Sequence, residues 1–494
     1  MSDVETFGVI ILIAGLATTA AVLSHHVSER LQIPAPAIFL VCAAAAAYFR
    51  PSLADTSIVT VERIVTLAVA AILFDGGMHI GWRRLRAALG AIALLGVVGT
   101  FVTAGALAIV AHVGFGLGWW VSLLLGTAIA PTDPAVVFSV LGRREVIGRS
   151  GTILEGESGA NDPVGIALLA SLLAAGGLSA GAVGGVAGEF TLQMVVGAAI
   201  GALGGIGLMW FMRSVPLPSE ALYPLRALAG GFVIFGLASV VHGSGFLAIF
   251  VAGVVLGDGR APYKGEIERF VAAVASFGEI VAFVVLGLTV DLETLARRDV
   301  WLVGLTISII LVLVIRPILV GLVMFPIRLR GAERAFILWS GLKGAVPILL
   351  GTFLLTEHIP ESQRLYGIVV IVVIFSVVVQ GSLVPLAAQH LRIPMRTREP
   401  EPWALGVRLR DEPQGVHRHQ VETGSAADGS TIADLPISSD DVWVSFVVRE
   451  SGLVRFRGST RLLPGDQVVI LADPALRDDL AALFAAPGHP DKPH

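Results

Sequence analysis

Residues 131–134 read Pro-Thr-Asp-Pro and residues 341–347 read Gly-Leu-Lys-Gly-Ala-Val-Pro, each in the middle of an otherwise apolar run, 119–141 and 333–356. Proline lacks a backbone donor and collides with the preceding turn, so neither run can continue as an unbroken helix. A hydrocarbon core about 30 Å thick takes about 20 apolar residues at about 1.5 Å each, which puts both breaks near mid-membrane. Lipid cannot satisfy the backbone groups that a break frees, so such segments persist only where they line a cavity in the protein. Two of them in corresponding places of two halves are the mark of inverted repeats around a transport site.

Working outward with the same ruler gives thirteen candidate spans, from 7–24 and 34–49 through 58–78, 88–112, 119–141 and 152–175 to 333–356 and 365–387. Spans 1–6 and 8–13 form the two expected halves, and the fifth then corresponds to the twelfth. The expected architecture is an all-α polytopic membrane domain over 1–390 with two broken helices crossing at its centre. Composition agrees: 55% of the 494 residues are hydrophobic, 15% are charged and the mean hydropathy is +0.82, outside the range of a soluble domain. A net charge of −4 with scattered basic residues excludes a nucleic-acid partner. The single cysteine, Cys42, excludes a disulfide framework or a thiolate metal site. No metal-ligand spacing, phosphate loop or GxGxxG occurs, so no cofactor and no resident metal are expected.

The first apolar run has no basic stretch or small-residue cleavage site before it, and reads as a retained helix. Cytoplasmic loops favour Lys and Arg. With the N-terminus outside, eighteen such residues fall inside, among them Arg83, Arg84, Arg86 and Arg149, against five outside. Thirteen crossings then leave the C-terminal part in the cytoplasm. Residues 391–402, with three prolines, read as a linker. Over 403–486 short β-like runs (Val442–Val448, Gln467–Leu471), the turn Pro464-Gly465-Asp466 and a helical stretch Ala475–Phe484 indicate a small α+β domain, and 487–494 a disordered tail.

Ionisable groups at the centre of a bilayer are functional candidates by default. The densest group, Glu155-Gly156-Glu157-Ser158-Gly159-Ala160-Asn161-Asp162-Pro163, lies in the sixth span. Residues four apart share a helix face, so Ser158 stacks with Asp162, and Glu157 with Asn161. A hydroxyl beside a carboxylate suits a small hard cation, and the same carboxylate can take a proton instead. The competing role for Asp162 is a structural ion pair. Asp133 either caps the second half-helix or sets its charge, with Thr132 and its oxygens, beside Asp162. Lys343 needs a buried partner, Glu157 being the first choice, as a strut or as part of a proton pathway. Asp75 is a site residue or an interfacial one. Glu279 and Arg316 read as a packing pair. A gated channel fits the midplane charges but lacks a glycine-tyrosine-glycine filter, and an acid-pair enzyme using Asp133 and Asp162 lacks any substrate-defining motif.

On Thr132-Asp133-Pro134, Gly156-Glu157-Ser158, Asn161-Asp162 and Gly341–Pro347, the chain resembles the NhaP-type branch of the cation:proton antiporter superfamily. The resemblance implies alternate binding of cation and proton at Asp162, assisted by Thr132, Asp133 and Ser158, with Glu157 holding Asn161 and the basic residue of the twelfth span. It further implies electroneutral exchange of K⁺ or Na⁺ for H⁺ and a homodimer in the bacterial inner membrane. Lysine at position 343 departs from the arginine usual in that branch. Gly429–Pro436 and Leu463–Leu471 resemble the C-terminal half of RCK (TrkA-like) regulators of potassium transport. That likeness implies regulation by a small ligand such as a cyclic dinucleotide, and favours K⁺.

Overall fold

Within hydrocarbon every backbone N–H and C=O must be satisfied by the chain itself, and the membrane part meets that demand with helices. The computed structural model describes residues 34–397 and 415–486, with positions 15 and 19, apart from short gaps at 142–143, 178, 180, 260, 358, 436–441, 450–451, 455–456 and 474–475. The expected span 7–24 apart from positions 15 and 19, residues 398–402 of the expected linker and the tail after 486 lie outside the described residues. The chain divides into two compact units, 1–398 and 399–494.

The first unit contains α1 (Ala35–Phe49), α2 (Ile58–Ala93), α3 (Thr100–Phe115), α4 (Trp119–Ile129), α5 (Pro134–Leu141), α6 (Arg149–Ala175), α7 (Ala182–Ser214) and α8 (Leu222–Val240). There follow α9 (Gly245–Gly257), α10 (Lys264–Leu288), α11 (Leu292–Ala296), α12 (Arg298–Ile310), α13 (Gly331–Trp339), α14 (Ala345–Thr356), α15 (Ser362–Ile374) and α16 (Val384–His390). Wider π turns join α2 to α3 and extend α12 and α15, at Leu94–Gly99, Leu311–Val320 and Phe375–Gly381. Among the described residues eight helical runs are long and apolar enough to cross a bilayer, and α1, α9 and α14 are shorter apolar helices. The protein is a multi-pass membrane protein.

The expected third and fourth spans, 58–78 and 88–112, are not separated by a loop. They form one helical run, Ile58–Phe115, whose backbone turns at a single residue, Gly81, at φ +62°. The intervening Arg83, Arg84, Leu85 and Arg86 are good helix formers, so only the glycine, which tolerates positive φ, breaks the helix. Asp258 accepts the Arg83 amide and caps the restarted segment. Helices α7 and α9 pack closely because Gly197, Gly201 and Gly205, one turn apart, face Ser244, Ala248 and Ala252, where a Cβ would stand 2.5–3.0 Å from backbone atoms. The opposite face of α7 exposes Val195, Leu203, Ile206 and Trp210.

Two short strands close one end of this unit. β1 (Arg144–Val146), between α5 and α6, pairs antiparallel with β2 (Met395–Thr397), and the Ile147 amide donates to Pro394 O at 3.1 Å. Residues expected to open the linker are therefore ordered by pairing.

In the second unit β3 (Val416–Gln420), β4 (Trp443–Arg449), β5 (Gly452–Leu453) and β6 (Gln467–Leu471) form an antiparallel sheet in the order β3-β6-β4-β5, followed by α17 (Arg477–Phe484). Val447, Val468, Ile470, Leu480 and Phe484 make its core. Pro464 and Gly465 (φ +91°) take the central positions of a tight turn closed by the Asp466 amide on Leu463 O at 3.0 Å. The Asp466 carboxylate accepts both Arg449 Nε and Nη2 at 2.8 Å. Burial pushes its pKa up, but the Arg449 guanidinium and the Leu463 amide outweigh that and hold it below the usual carboxylate range.

Candidate functional site

Both predicted breaks are present. Helix α4 stops at Ile129 and α5 starts at Pro134, while α13 stops at Trp339 and α14 starts at Ala345. The extended segments between them touch: the Asp133 amide donates to Leu342 O at 2.8 Å. Four half-helix ends therefore converge, two exposing N–H groups and two exposing carbonyls.

Each end is met by a group of opposite character. Asp133 Oδ1 accepts the Ala135 amide at 2.9 Å, capping α5, and the Ala345 amide of α14 also hydrogen-bonds to Asp133. A Cβ on Gly344 would overlap Asp133 Oδ2, which explains a glycine there. Lys343, fully buried, donates from Nζ to Ala130 O at 2.7 Å and Pro131 O at 2.9 Å, the carbonyl end of α4. Arg316, from the π turn after α12, donates from Nε to Leu338 O at 2.9 Å, and Gln380 donates to Trp339 O at 2.6 Å, so these two hold the carbonyl end of α13. Ser376 accepts the Lys343 amide at 2.9 Å and bonds to Gln380 Oε1 at 3.0 Å.

Two sequence expectations change here. Glu157 pairs with Arg316 at 3.0 Å and not with Lys343, whose ammonium goes to helix carbonyls. Arg316 therefore does not pair with Glu279; among the described residues Glu279 has no ion pair, its Oε1 is buried without a hydrogen bond, and Asp133 is the charge that acts on it. The reason is reach: a guanidinium has five donors in a planar fork and can serve a carboxylate and helix carbonyls together, whereas an ammonium is a point donor. Asp75 stands apart from this centre, its Oδ1 3.3 Å from His79 Nδ1 and 20% of its side chain exposed. Ser376 and Gln380 were not singled out in the sequence. Their i, i+4 spacing inside an apolar run is the signal that marks them.

Helix α6 lies against the crossing. Asn161 Nδ2 donates to Thr132 Oγ1 at 2.7 Å and Asn161 Oδ1 accepts the Thr132 amide at 3.3 Å, tying α6 to the first break. Ser158, Asn161 and Asp162 are all buried. Asp162 shares the Ser158 face, and Asp133 and Lys343 are the charges acting on it. Among the described residues no ion pair involves Asp162, and its Oδ1 is buried with no hydrogen-bond partner. A carboxylate oxygen left so is costly unless a proton or a cation occupies it.

Residues 13–390 match the family model described as sodium/hydrogen exchanger, transmembrane. The chain belongs to the sodium/hydrogen exchanger family. A member of this exchanger family is a transporter, not an enzyme, and residues 416–485 separately match the TrkA-C domain. Among relatives of this exchanger, the K(+)/H(+) antiporter NhaP2 of Shewanella oneidensis is 31% identical over 98% of this chain and 84% of its own. The Na(+)/H(+) antiporter NhaP of Pseudomonas aeruginosa is 30% identical over 66% of this chain and 80% of its own. The fold resembles that of the sodium proton antiporter MjNhaP1 of Methanocaldococcus jannaschii, with a TM-score of 0.64 at 20% identity, over 77% of this chain and all of the other.

Proposed function

We propose that this exchanger moves a monovalent cation, K⁺ in the first place, against a proton at Asp162, one for one, across the bacterial inner membrane. The observation that carries the reading is the buried, unpartnered Oδ1 of Asp162 on the Ser158 face, next to the crossing of the two breaks. Ionised Asp162 in so dry a place needs neutralising, and either ligand suffices. Cation and proton then compete, and each excludes the other. Thr132, Ser158 and the Asp133 carboxylate supply further oxygen near the cation, while Asn161 holds the first break in place. Lys343, committed to Ala130 O and Pro131 O, serves as a fixed counter-charge to a helix end, which supports exchange without net charge.

K⁺ is favoured by the Shewanella relative's name and by the TrkA-C tail. The Pseudomonas relative's name supports Na⁺ as the second reading. Thirteen crossings in two inverted repeats, an external N-terminus, a membrane domain over 1–390, a homodimer and control of the C-terminal domain by a cyclic dinucleotide complete the proposal. It draws on the paired breaks, on the loop charge bias and on the exposed apolar face of α7, which is free for lipid or a second copy.

In proteoliposomes, fluorescence dequenching with K⁺, Na⁺ and Li⁺ across pH, with and without a valinomycin clamp, ranks the ions and reads any net charge. Asp162→Asn is expected to abolish exchange for every ion while raising the thermal midpoint, since it removes a carboxylate whose partner is missing. Exchange retained in Asp162→Asn would remove the proposal.

A further inference from the structure

Helix α6 carries a row of oxygen-bearing side chains from Thr152 to Asp162. Thr152, Glu155, Ser158 and Asp162 follow at steps of three, three and four residues, so they share a face, and ten residues separate the first from the last by about 15 Å. Glu155 is the exposed member of the row, with 23% of its side chain exposed, whereas Thr152, Ser158 and Asp162 are buried. Thr152 lines a cavity of about 550 Å³, with Arg84, Val146, Gly148 and Arg149, at the end of the molecule that the loop charges assign to the cytoplasm.

Arg84 occupies the junction between cavity and track. Its Nη2 lies 3.1 Å from Glu155 Oε2, Nη2 and Nε donate to Thr152 Oγ1 at 3.2 and 3.3 Å, and Nη1 donates to His79 O at 3.2 Å. The guanidinium charge here offsets that of Glu155 and repels an entering cation. With 45% of the Arg84 side chain exposed, the pair is of the weak, exchangeable kind.

Resting on the exchange reading of Asp162, we propose that Glu155 is an outer cation site on the cytoplasmic approach, and that Arg84 is its resident counter-ion, displaced when a cation arrives. Arg84 is thus a positioning residue that acts through Glu155 and sets cation affinity from one face only. Its release hands the Glu155 carboxylate to the cation, which then moves along Ser158 to Asp162.

The test is reciprocal in sign. In everted membrane vesicles, whose cytoplasmic face is outward, K⁺ titration of Arg84→Gln is expected to lower the apparent KM about fivefold, and Glu155→Gln to raise it by about as much. That is the effect of one unit charge about 10 Å from Asp162 in a half-wet cleft. The double variant brings KM back towards wild type, Arg84→Lys lies between, and in right-side-out vesicles KM does not move. Singles that leave KM unchanged, shift it in the same direction, or shift it equally at both faces overturn the proposal. Should Arg84→Gln fail to accumulate in the membrane, Glu155→Gln decides alone, by a raised KM at the cytoplasmic face only. An inert Asp162→Asn with unmoved KM values rejects this inference by itself, whereas an active Asp162→Asn rejects the exchange reading beneath it.

Discussion

The two breaks solve one backbone problem with unequal means. At the first, residues 130–133, a single ammonium holds the carbonyl end of α4, and the segment is tied to α6 through Thr132 and Asn161. At the second, residues 340–344, three side chains share the work: Arg316, Gln380 and Ser376 brace α13 and the loop, and Arg316 also takes Glu157. The first break lies against α6, which carries Asp162, the proposed ion site, and is thinly supported; the second is anchored from behind, by the π turns following α12 and α15. A segment that must admit alternate ligands keeps few bonds, and the stiffness is supplied by its neighbour.

That asymmetry can be broken by experiment. The largest expected effect is Lys343→Met, which leaves two buried carbonyls without their donor. It should end exchange and cost about 3–5 kcal/mol of stability in detergent melts, well beyond Gln380→Ala. Equal losses in the two variants would erase the distinction between the breaks. Arg316→Met comes next, at about 3 kcal/mol, because Glu157 is left buried and unpaired. Adding Glu157→Gln should recover a good part of it, and a double-mutant cycle measures how much; strict additivity would mean that the pair is not coupled. Smallest is Ser376→Ala, about 1 kcal/mol with exchange retained, as the Lys343 amide loses its acceptor while the Lys343 ammonium keeps both of its carbonyls. A complete loss of transport there would move the weak point to the second break.

Much of this centre was legible before any coordinates. Pro131, Pro134, Pro347 and the glycines at 341 and 344 mark breaks through local backbone chemistry, which needs no tertiary information. Asp162 stood out because a carboxylate in an apolar helix has few structural uses. The partner of Glu157 was not legible: Lys343 and Arg316 are each one basic residue in an apolar helix, and only packing brings the arginine fork within 3.0 Å. Nor was Gly81 visible as a break, since its neighbours are helix formers and its φ of +62° depends on the Asp258 cap. Strand β3 escaped because Val-His-Arg-His-Gln puts histidines, not aliphatic residues, on the face that pairs with Ile470 and Val468. β1 and β2, three residues each, are too short to leave a periodic trace.

The pairing of those two strands has a mechanical consequence. β1 lies in the connection between α5, whose first turn Asp133 caps, and α6, which carries Asp162, and β2 is the last described stretch of the first unit. Whatever strains that three-rung ladder therefore strains the connection between the helix that Asp133 caps and the helix that carries Asp162.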